Sequence, residues 1–267
     1  SDLDGTLLDH DNYSFEAAAP ALTRLRDRHI PLILNSSKTA AELVSIRQSM
    51  HNNHPFIVEN GSALYIPADY FNEHFPGQGK QEDFEIVAFG ADYEKILNVL
   101  DELRTQFNYQ FTGFNDLSAQ QLADNTGLPP EHAALAKQRA ASEPIIWQES
   151  DERLQEFLTQ LAQQQLNTLQ GGRFLHVLGN TDKAQPIHYL LERYQQTWNQ
   201  FSWRSIALGD SKNDAAMLLT SDYPVVVKNP HATPFQLDHD GVVYTDEIGP
   251  SGWNQAMQTL LNKHLSN

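Results

Sequence analysis

Two groups of carboxylates stand out by their spacing. The chain reads Ser1-Asp2-Leu3-Asp4-Gly5-Thr6 near its start, which sets Asp2 and Asp4 two residues apart just before a turn. Side chains alternate in extended backbone, so both acids point the same way and can face one ligand. Far along the chain, Gly209-Asp210-Ser211-Lys212-Asn213-Asp214 follows the short apolar run Ser205 to Leu208. Asp210 then falls at the carboxyl end of a strand, where open α/β sheets bind ligands, and Asp214 falls one turn into the following helix. Carboxylates gathered at such strand ends, with no cysteine or clustered histidine beside them, suit Mg2+ far better than zinc. Taken singly, each group also has a plainer reading: Asp2 and Asp4 as solvated acids in a turn, Asp210 as a helix cap.

The elements that must position these residues follow from hydrophobic period and capping signals. Ala18, Leu22 and Leu25 recur at helical spacing between Ser14 and His29, and Pro31 to Leu34 reads as a buried strand. Thr39 with Glu42 forms a capping box for a helix carrying Leu43, Ile46 and Met50. Pro55 to Val58 is a second apolar run, and Asn60-Gly61 before Ala63 to Ile66 reads as a hairpin turn. Strands alternating with helices imply a parallel sheet covered on both faces. The middle of the chain differs. Strands are expected at Phe84 to Phe89, Tyr109 to Phe114 and Ile145 to Trp147, and a pair at Thr168 to Gln170 and Arg173 to Leu178 is joined by Gly171-Gly172. Between them lie helices, one started by Ser118 and Gln121 and ended by Gly127, another over Glu131 to Ala141. The first pattern then resumes: a helix from Asp182 to Tyr194, strands at Ser205 to Leu208 and Val225 to Val227, a helix from Asp214 to Leu219, and a last helix with Trp253, Met257, Leu260 and Leu261. One core domain, residues 1–80 and 179–267, is therefore split by an inserted α+β module, residues 81–178. Its expected linkers are Pro76 to Glu82 and Gly179 to Asp182.

Composition narrows the partners. Eighteen Lys and Arg against 34 Asp and Glu give a formal charge of −16, which opposes nucleic acid and anionic membranes. A small anionic metabolite remains compatible, because a metal ion and a few placed cations reverse the potential inside a cleft. The 267 residues contain no cysteine, which excludes disulfides and thiolate chemistry. No apolar stretch has the length of a membrane span, and none has the form of a signal peptide, so the expected location is the cytoplasm. A monomer or small homo-oligomer is expected.

Asp-X-Asp-Gly-Thr early and Gly-Asp-Ser-X-Asn-Asp late, flanking an insertion, resemble the haloacid dehalogenase superfamily. Two further positions of that pattern have matches: Ser36 in Leu34-Asn35-Ser36-Ser37-Lys38, and Lys183 in Asn180-Thr181-Asp182-Lys183. The insertion lies between the second and third matching positions, as in the type 2 cap of the superfamily. Strings along nearly the whole chain, among them Val58-Glu59-Asn60-Gly61-Ser62-Ala63, Ser142-Glu143-Pro144 and Arg173-Phe174-Leu175-His176, are similar to the mannosyl-3-phosphoglycerate phosphatases. The resemblance implies a Rossmann-like core with an inserted α+β cap and a Mg2+-dependent phosphatase acting on a small phosphorylated sugar acid. It implies Asp2 as nucleophile and Asp4 as general acid and base. Asp2, Asp4, Asp210 and Asp214 would serve the metal, Asp4 through its backbone carbonyl, and Ser36 and Lys183 would hold phosphate. Ser37, Lys38, Arg139 and His176 would meet the rest of the substrate. An apolar strand is expected upstream of Ser1, since the pattern's first motif ends such a strand. Another sugar phosphatase or a phosphosugar mutase shares the same core motifs. A receiver-like module phosphorylated on aspartate is disfavoured by Asp4, because a long-lived phosphoaspartate needs no general base.

Overall fold

The computed structural model of the chain describes residues 1–72, 80–171 and 173–264, with residues 80–83 described by their backbone alone. Residues 76–79 of the linker read at Pro76 to Glu82 lie outside the described residues, as does Gly172 of the Gly171-Gly172 turn. The first part runs α1 (Ala19–Asp27), β1 (Leu34–Asn35), α2 (Ala40–Ser49), β2 (Phe56–Val58), β3 (Ala63–Ala68) and β4 (Lys80–Ala88). The middle runs α3 (Tyr93–Phe107), β5 (Phe111–Gly113), α4 (Ala119–Thr126), α5 (Pro130–Ala136), β6 (Ser142–Trp147), α6 (Asp151–Gln163), β7 (Leu166–Gln170) and β8 (Leu175–Gly179). The last part is α7 (Gln185–Thr197), β9 (Ile206–Gly209), α8 (Ala215–Leu219), β10 (Tyr223–Lys228), β11 (Val243–Ile248) and α9 (Gly249–His264).

Residues 1–3 join two sheets into one layer. The Asp2 N–H donates to the Leu208 carbonyl at 2.9 Å on one side, and on the other the Asn35 N–H donates to the Ser1 carbonyl at 2.8 Å. The segment therefore lies between β9, which leads through β10 to β11 in parallel, and β1, which pairs in parallel with β2. These short strands are almost wholly apolar because helices cover both faces. Leu34, Phe56, Leu208 and Val225 pack with Trp253 and Leu260 of α9 on one side. Ile57 and Leu64 pack with Leu190 and Tyr194 of α7 on the other.

The sheet is less uniformly parallel than its helix and strand order suggests. β3 returns antiparallel to β2 and β4 antiparallel to β3, so the strand starting at Lys80 belongs to the first sheet. The middle of the chain forms its own sheet, in the order β5-β6-β8-β7 with every pairing antiparallel, and α3 and α6 pack on it through Ile96, Leu100, Phe157 and Leu161. Both capping boxes form, each with reciprocal side-chain and backbone bonds. Gly127 ends α4 at φ 79°, a left-handed conformation that glycine adopts without a Cβ penalty. α5 stops at Ala136, short of the expected Ala141, because the N–H groups of Ala140 and Ala141 donate to a core carboxylate, Glu59, instead of to helix carbonyls. β11 has no alternation of apolar and polar residues in the sequence, and it forms an outer edge on which Val243, Tyr244 and Ile248 are exposed. Among the described residues no helix is long and apolar enough to cross a membrane.

A buried polar chain sits beside the second core. Nδ1 of His54 lies 2.8 Å from the Tyr70 hydroxyl, which lies 2.5 Å from that of Tyr194. Burial, aided by the Arg47 cation, lowers the His54 pKa to about 4, so the folded protein holds it neutral. The unfolded chain binds a proton at this site below its ordinary value near 6.5 and the folded chain does not, so the stability contribution is full above that value and is lost as pH falls toward 4. Thermal melts of the wild type should show a lower midpoint at pH 5 than at pH 7. The His54→Gln variant should show a shallower dependence, by up to about 1.4 kcal/mol per pH unit; an identical slope in the two proteins would remove His54 from this role.

Candidate active site

The carboxyl ends of residues 1–3, β1 and β9 converge, and the loops leaving them carry most of the residues singled out from the sequence. Asp2, Asp210 and Asp214 are all buried, and one oxygen from each lies within 4.8 Å of the others. Such crowding of like charge in a desolvated place needs compensation. Lys183, fully buried, supplies it: its ammonium donates to Oδ1 of Asp2 and to Oδ1 of Asp214, both at 2.7 Å. Burial opposes the charge on Lys183, but the two aspartates outweigh it and hold the ammonium well above the ordinary lysine range.

The three acids have different surroundings. Asp214 is saturated, because its Oδ2 also accepts the backbone N–H groups of Asp210 and Ser211 at 3.1 and 3.2 Å. Asp210 accepts the Thr6 hydroxyl at 3.1 Å and the Asn229 amide at 2.5 Å. Burial first, then Asp2 and Asp214, push the Asp210 carboxyl up; burial and Asp2 do the same to Asp214 against the pull of Lys183. Gly5, at φ 79°, allows the close approach of the loop to Asn229, since a Cβ there would stand 2.3 Å from the amide nitrogen. A set made only of carboxylate oxygens, with two members raised by desolvation and mutual repulsion, fits a hard divalent cation such as Mg2+.

Asp4 turns its carboxylate away from this cluster. Its Oδ2 pairs with the Lys38 ammonium at 2.9 Å, while its Oδ1 is enclosed and has no partner. Burial works against the charge of Lys38, but Asp4 and Glu42 raise it well beyond the ordinary value. Ser36 is buried, and its hydroxyl oxygen accepts the Lys38 N–H at 3.3 Å. The Ser37 carbonyl accepts an N–H from Arg139 at 3.0 Å, which ties the middle module to the loop after β1. Arg139 also donates through Nε and Nη2 to the carbonyl and hydroxyl of Ser142, at 3.0 and 2.6 Å. His176, on β8, has an enclosed Nδ1 without a partner. Burial, then Arg139 and Lys183, lower its pKa to about 3, so the ring is neutral.

Thr6, Asn229 and Glu59 carry the geometry without having been given a role from the sequence. Thr6 and Asn229 lie in turns and grip Asp210 only after folding. Glu59 had a visible signal, a charged residue between an apolar run and Asn60-Gly61. Its carboxylate is entirely buried and lies 3.3 Å from Nε of Arg139.

The family of haloacid dehalogenase-like hydrolases matches the chain over residues 1–236. A glucosyl-3-phosphoglycerate/mannosyl-3-phosphoglycerate phosphatase of Methanococcoides burtonii is 37% identical over 265 residues, covering 99% of this chain and 97% of its own. A protein of the same name from Persephonella marina is 32% identical, over 98% of this chain and 96% of its own. Among solved structures, a haloacid dehalogenase-like hydrolase from Bacteroides thetaiotaomicron superposes with a TM-score of 0.65 at 18% identity, covering 97% of both chains, a likeness of fold.

Removing the central cation tests the electrostatic account. Lys183→Met leaves three buried carboxylates without their counter-charge and should cost about 3–5 kcal/mol of stability in metal-free buffer near pH 8. Urea denaturation measures it, and the deficit should shrink at lower pH as the acids take up protons; an unchanged midpoint would mean that the carboxylates do not depend on Lys183.

Proposed function

The chain belongs to the haloacid dehalogenase-like hydrolases, and on that premise we propose that it is a Mg2+-dependent phosphatase that removes the phosphate of mannosyl-3-phosphoglycerate or its glucosyl counterpart through an aspartyl phosphate on Asp2. The observation that carries the reading is the pairing of Asp2 and Asp4 in one loop, with Asp2 held by Lys183 in a buried carboxylate cluster and the enclosed Oδ1 of Asp4 left without a partner. Phosphoryl transfer asks chiefly for charge neutralisation and in-line placement.

Asp2, the Asp4 carbonyl and Asp210 would hold Mg2+, with Asp214 as a further ligand or as the anchor of Lys183. The cation, when bound, offsets the repulsion between the Asp2 carboxylate and an anionic phosphate. Asp2 attacks phosphorus, forming one P–O bond as the bond to the sugar acid breaks. Asp4, entering the step in its protonated form, gives that proton to the departing oxygen and then, as the carboxylate, takes one from the water that hydrolyses the acyl phosphate. Ser36 donates its hydroxyl proton to a phosphate oxygen, and Lys183 offers a positive charge to the same group. Thr6 and Asn229 keep the Asp210 oxygens fixed throughout.

The division proposed for the chain is a core of residues 1–88 and 179–267 and a cap of residues 89–178, placed after β4 because that strand pairs with β3. The cap brings Arg139 toward the loop of Ser37 and Lys38, which suits a substrate carrying a carboxylate beside its phosphate. Neutral His176 can give or accept a hydrogen bond with a sugar or glycerate hydroxyl.

Phosphate release should be faster from mannosyl- and glucosyl-3-phosphoglycerate than from hexose phosphates, should require Mg2+, and should vanish in Asp2→Asn. Arg139→Ala should weaken catalysis on the phosphoglycerate substrates by about 2 to 4 kcal/mol, with a much smaller effect on an aryl phosphate that lacks the carboxylate. Measured kcat/KM values decide it: equal losses on both kinds of substrate would remove Arg139 from substrate selection.

A further inference from the structure

One turn in the core touches three loops of the site, those carrying Ser36 to Lys38, Thr181 to Lys183 and Asn213. Glu59, Asn60 and Gly61 follow β2 at φ 50°, 58° and 95°, so two consecutive non-glycine residues hold the left-handed conformation. Such a conformation costs of order 1 kcal/mol or more at each residue and persists only where the surroundings enforce it. The surroundings are the site. The Glu59 N–H donates to the Lys38 carbonyl at 3.0 Å and the Asn60 N–H to the Ser36 carbonyl at 2.9 Å. The Gly61 carbonyl accepts the Thr181 hydroxyl at 3.0 Å, two residues before Lys183. The Asn60 side chain accepts from Asn213 at 3.4 Å, beside Asp214.

The Glu59 side chain reaches the other way, into the middle module. Its Oε1 accepts the Ala140 N–H at 2.8 Å, and its Oε2 accepts the Ala141 N–H at 3.2 Å and the Ser142 hydroxyl at 2.7 Å, beside the Arg139 contact already described. All four partners are donors, and none of the carboxylate is exposed. Nη1 of Arg139 takes part in none of these bonds, so Glu59 fixes the guanidinium by one edge and leaves that nitrogen for another partner.

We propose that Glu59 is a positioning residue that latches the cap onto the core and orients Arg139 toward the substrate's carboxylate, so that the loop of Ser36 to Lys38 and the cap close as one unit. The proposal rests on the phosphatase reading for its substrate and on the geometry alone for the latch. A carboxylate is required rather than merely a polar group. In Glu59→Gln one oxygen becomes an NH2 facing groups that can only donate or are already donating, which leaves a buried donor and Arg139 unsatisfied.

The test combines catalysis with shape. Steady-state kinetics of the wild type, Glu59→Gln and Ser142→Ala are measured on both phosphoglycerate substrates and on 4-nitrophenyl phosphate, and small-angle X-ray scattering is recorded for each protein without substrate. In Glu59→Gln the phosphoglycerate kcat/KM should fall about 10- to 100-fold, the aryl phosphate should lose several-fold less, and the radius of gyration should rise as the cap opens. Ser142→Ala, which removes one of the four donors and leaves the turn intact, should move all three readouts the same way by less, and it carries the test if Glu59→Gln fails to fold. Equal losses on both classes of substrate with an unchanged radius would overturn the proposal, as would unchanged kinetics throughout. If the wild type releases phosphate from neither phosphoglycerate ester, the substrate reading fails, and the radius alone then upholds or overturns the latch.

Discussion

The ammonium of Lys183 is the interaction on which the rest of the site depends. A fully buried lysine must be paired, and three buried carboxylates must be offset; neither requirement is met without the other. Satisfying both fixes geometry far beyond one side chain. The Lys183 carbonyl accepts the Asn35 amide at 2.8 Å, its loop is tied to Gly61 through Thr181, and Asp214 is held by the N–H groups of Asp210 and Ser211 in the loop after β9. The centre of the sheet, the loop after β1 and the approach to α7 are thereby drawn around a single positive charge.

Compensation of buried charge recurs at the junction between the modules in a second form. There the carboxylate of Glu59 is the enclosed ion and the cap supplies the donors, two of them backbone N–H groups that would otherwise extend a helix. The same four residues, 139–142, thus end α5 and dock the module. The strained conformation of the turn is the cost of bringing backbone contacts to one face and a carboxylate to the other within three residues. Gly61 is required where the chain passes nearest, since a Cβ there would lie 1.9 Å from the Asp182 carbonyl oxygen.

Much of this arrangement was legible in the sequence. Period and capping signals located most of the strands and helices because those elements bury one face or both, and the spacing of Asp2 with Asp4 and of Asp210 with Asp214 located the acids. What escaped follows from the same physics. β11 exposes its side chains and so has no alternation to read. β4 has the apolar residues of any strand, and only its pairing with β3 assigns it to the first sheet. Lys183 could be matched to a family position, but its bridge between Asp2 and Asp214 joins residues 181 and 31 positions away, which local pattern does not encode. Glu59 was visible as a charge beside an apolar strand, whereas its partners at 139–142 exist only once the two modules meet.

The position of residues 1–3 between β1 and β9 has a consequence for how the protein is made. The Thr6 to Asp210 contact closes over 204 residues, and the whole intervening module must be accommodated before the middle of the sheet is filled. Contacts of such sequence separation form late, because the entropy of closing the loop is lost before pairing repays it. Asp2 therefore leaves the ribosome long before the strand that will shelter it. Until then Leu3 and Leu7, which are completely buried in the finished fold, remain uncovered beside an acidic turn. Assembly of the carboxylate cluster in this sense waits on the late-made segment of Asp210 to Asp214.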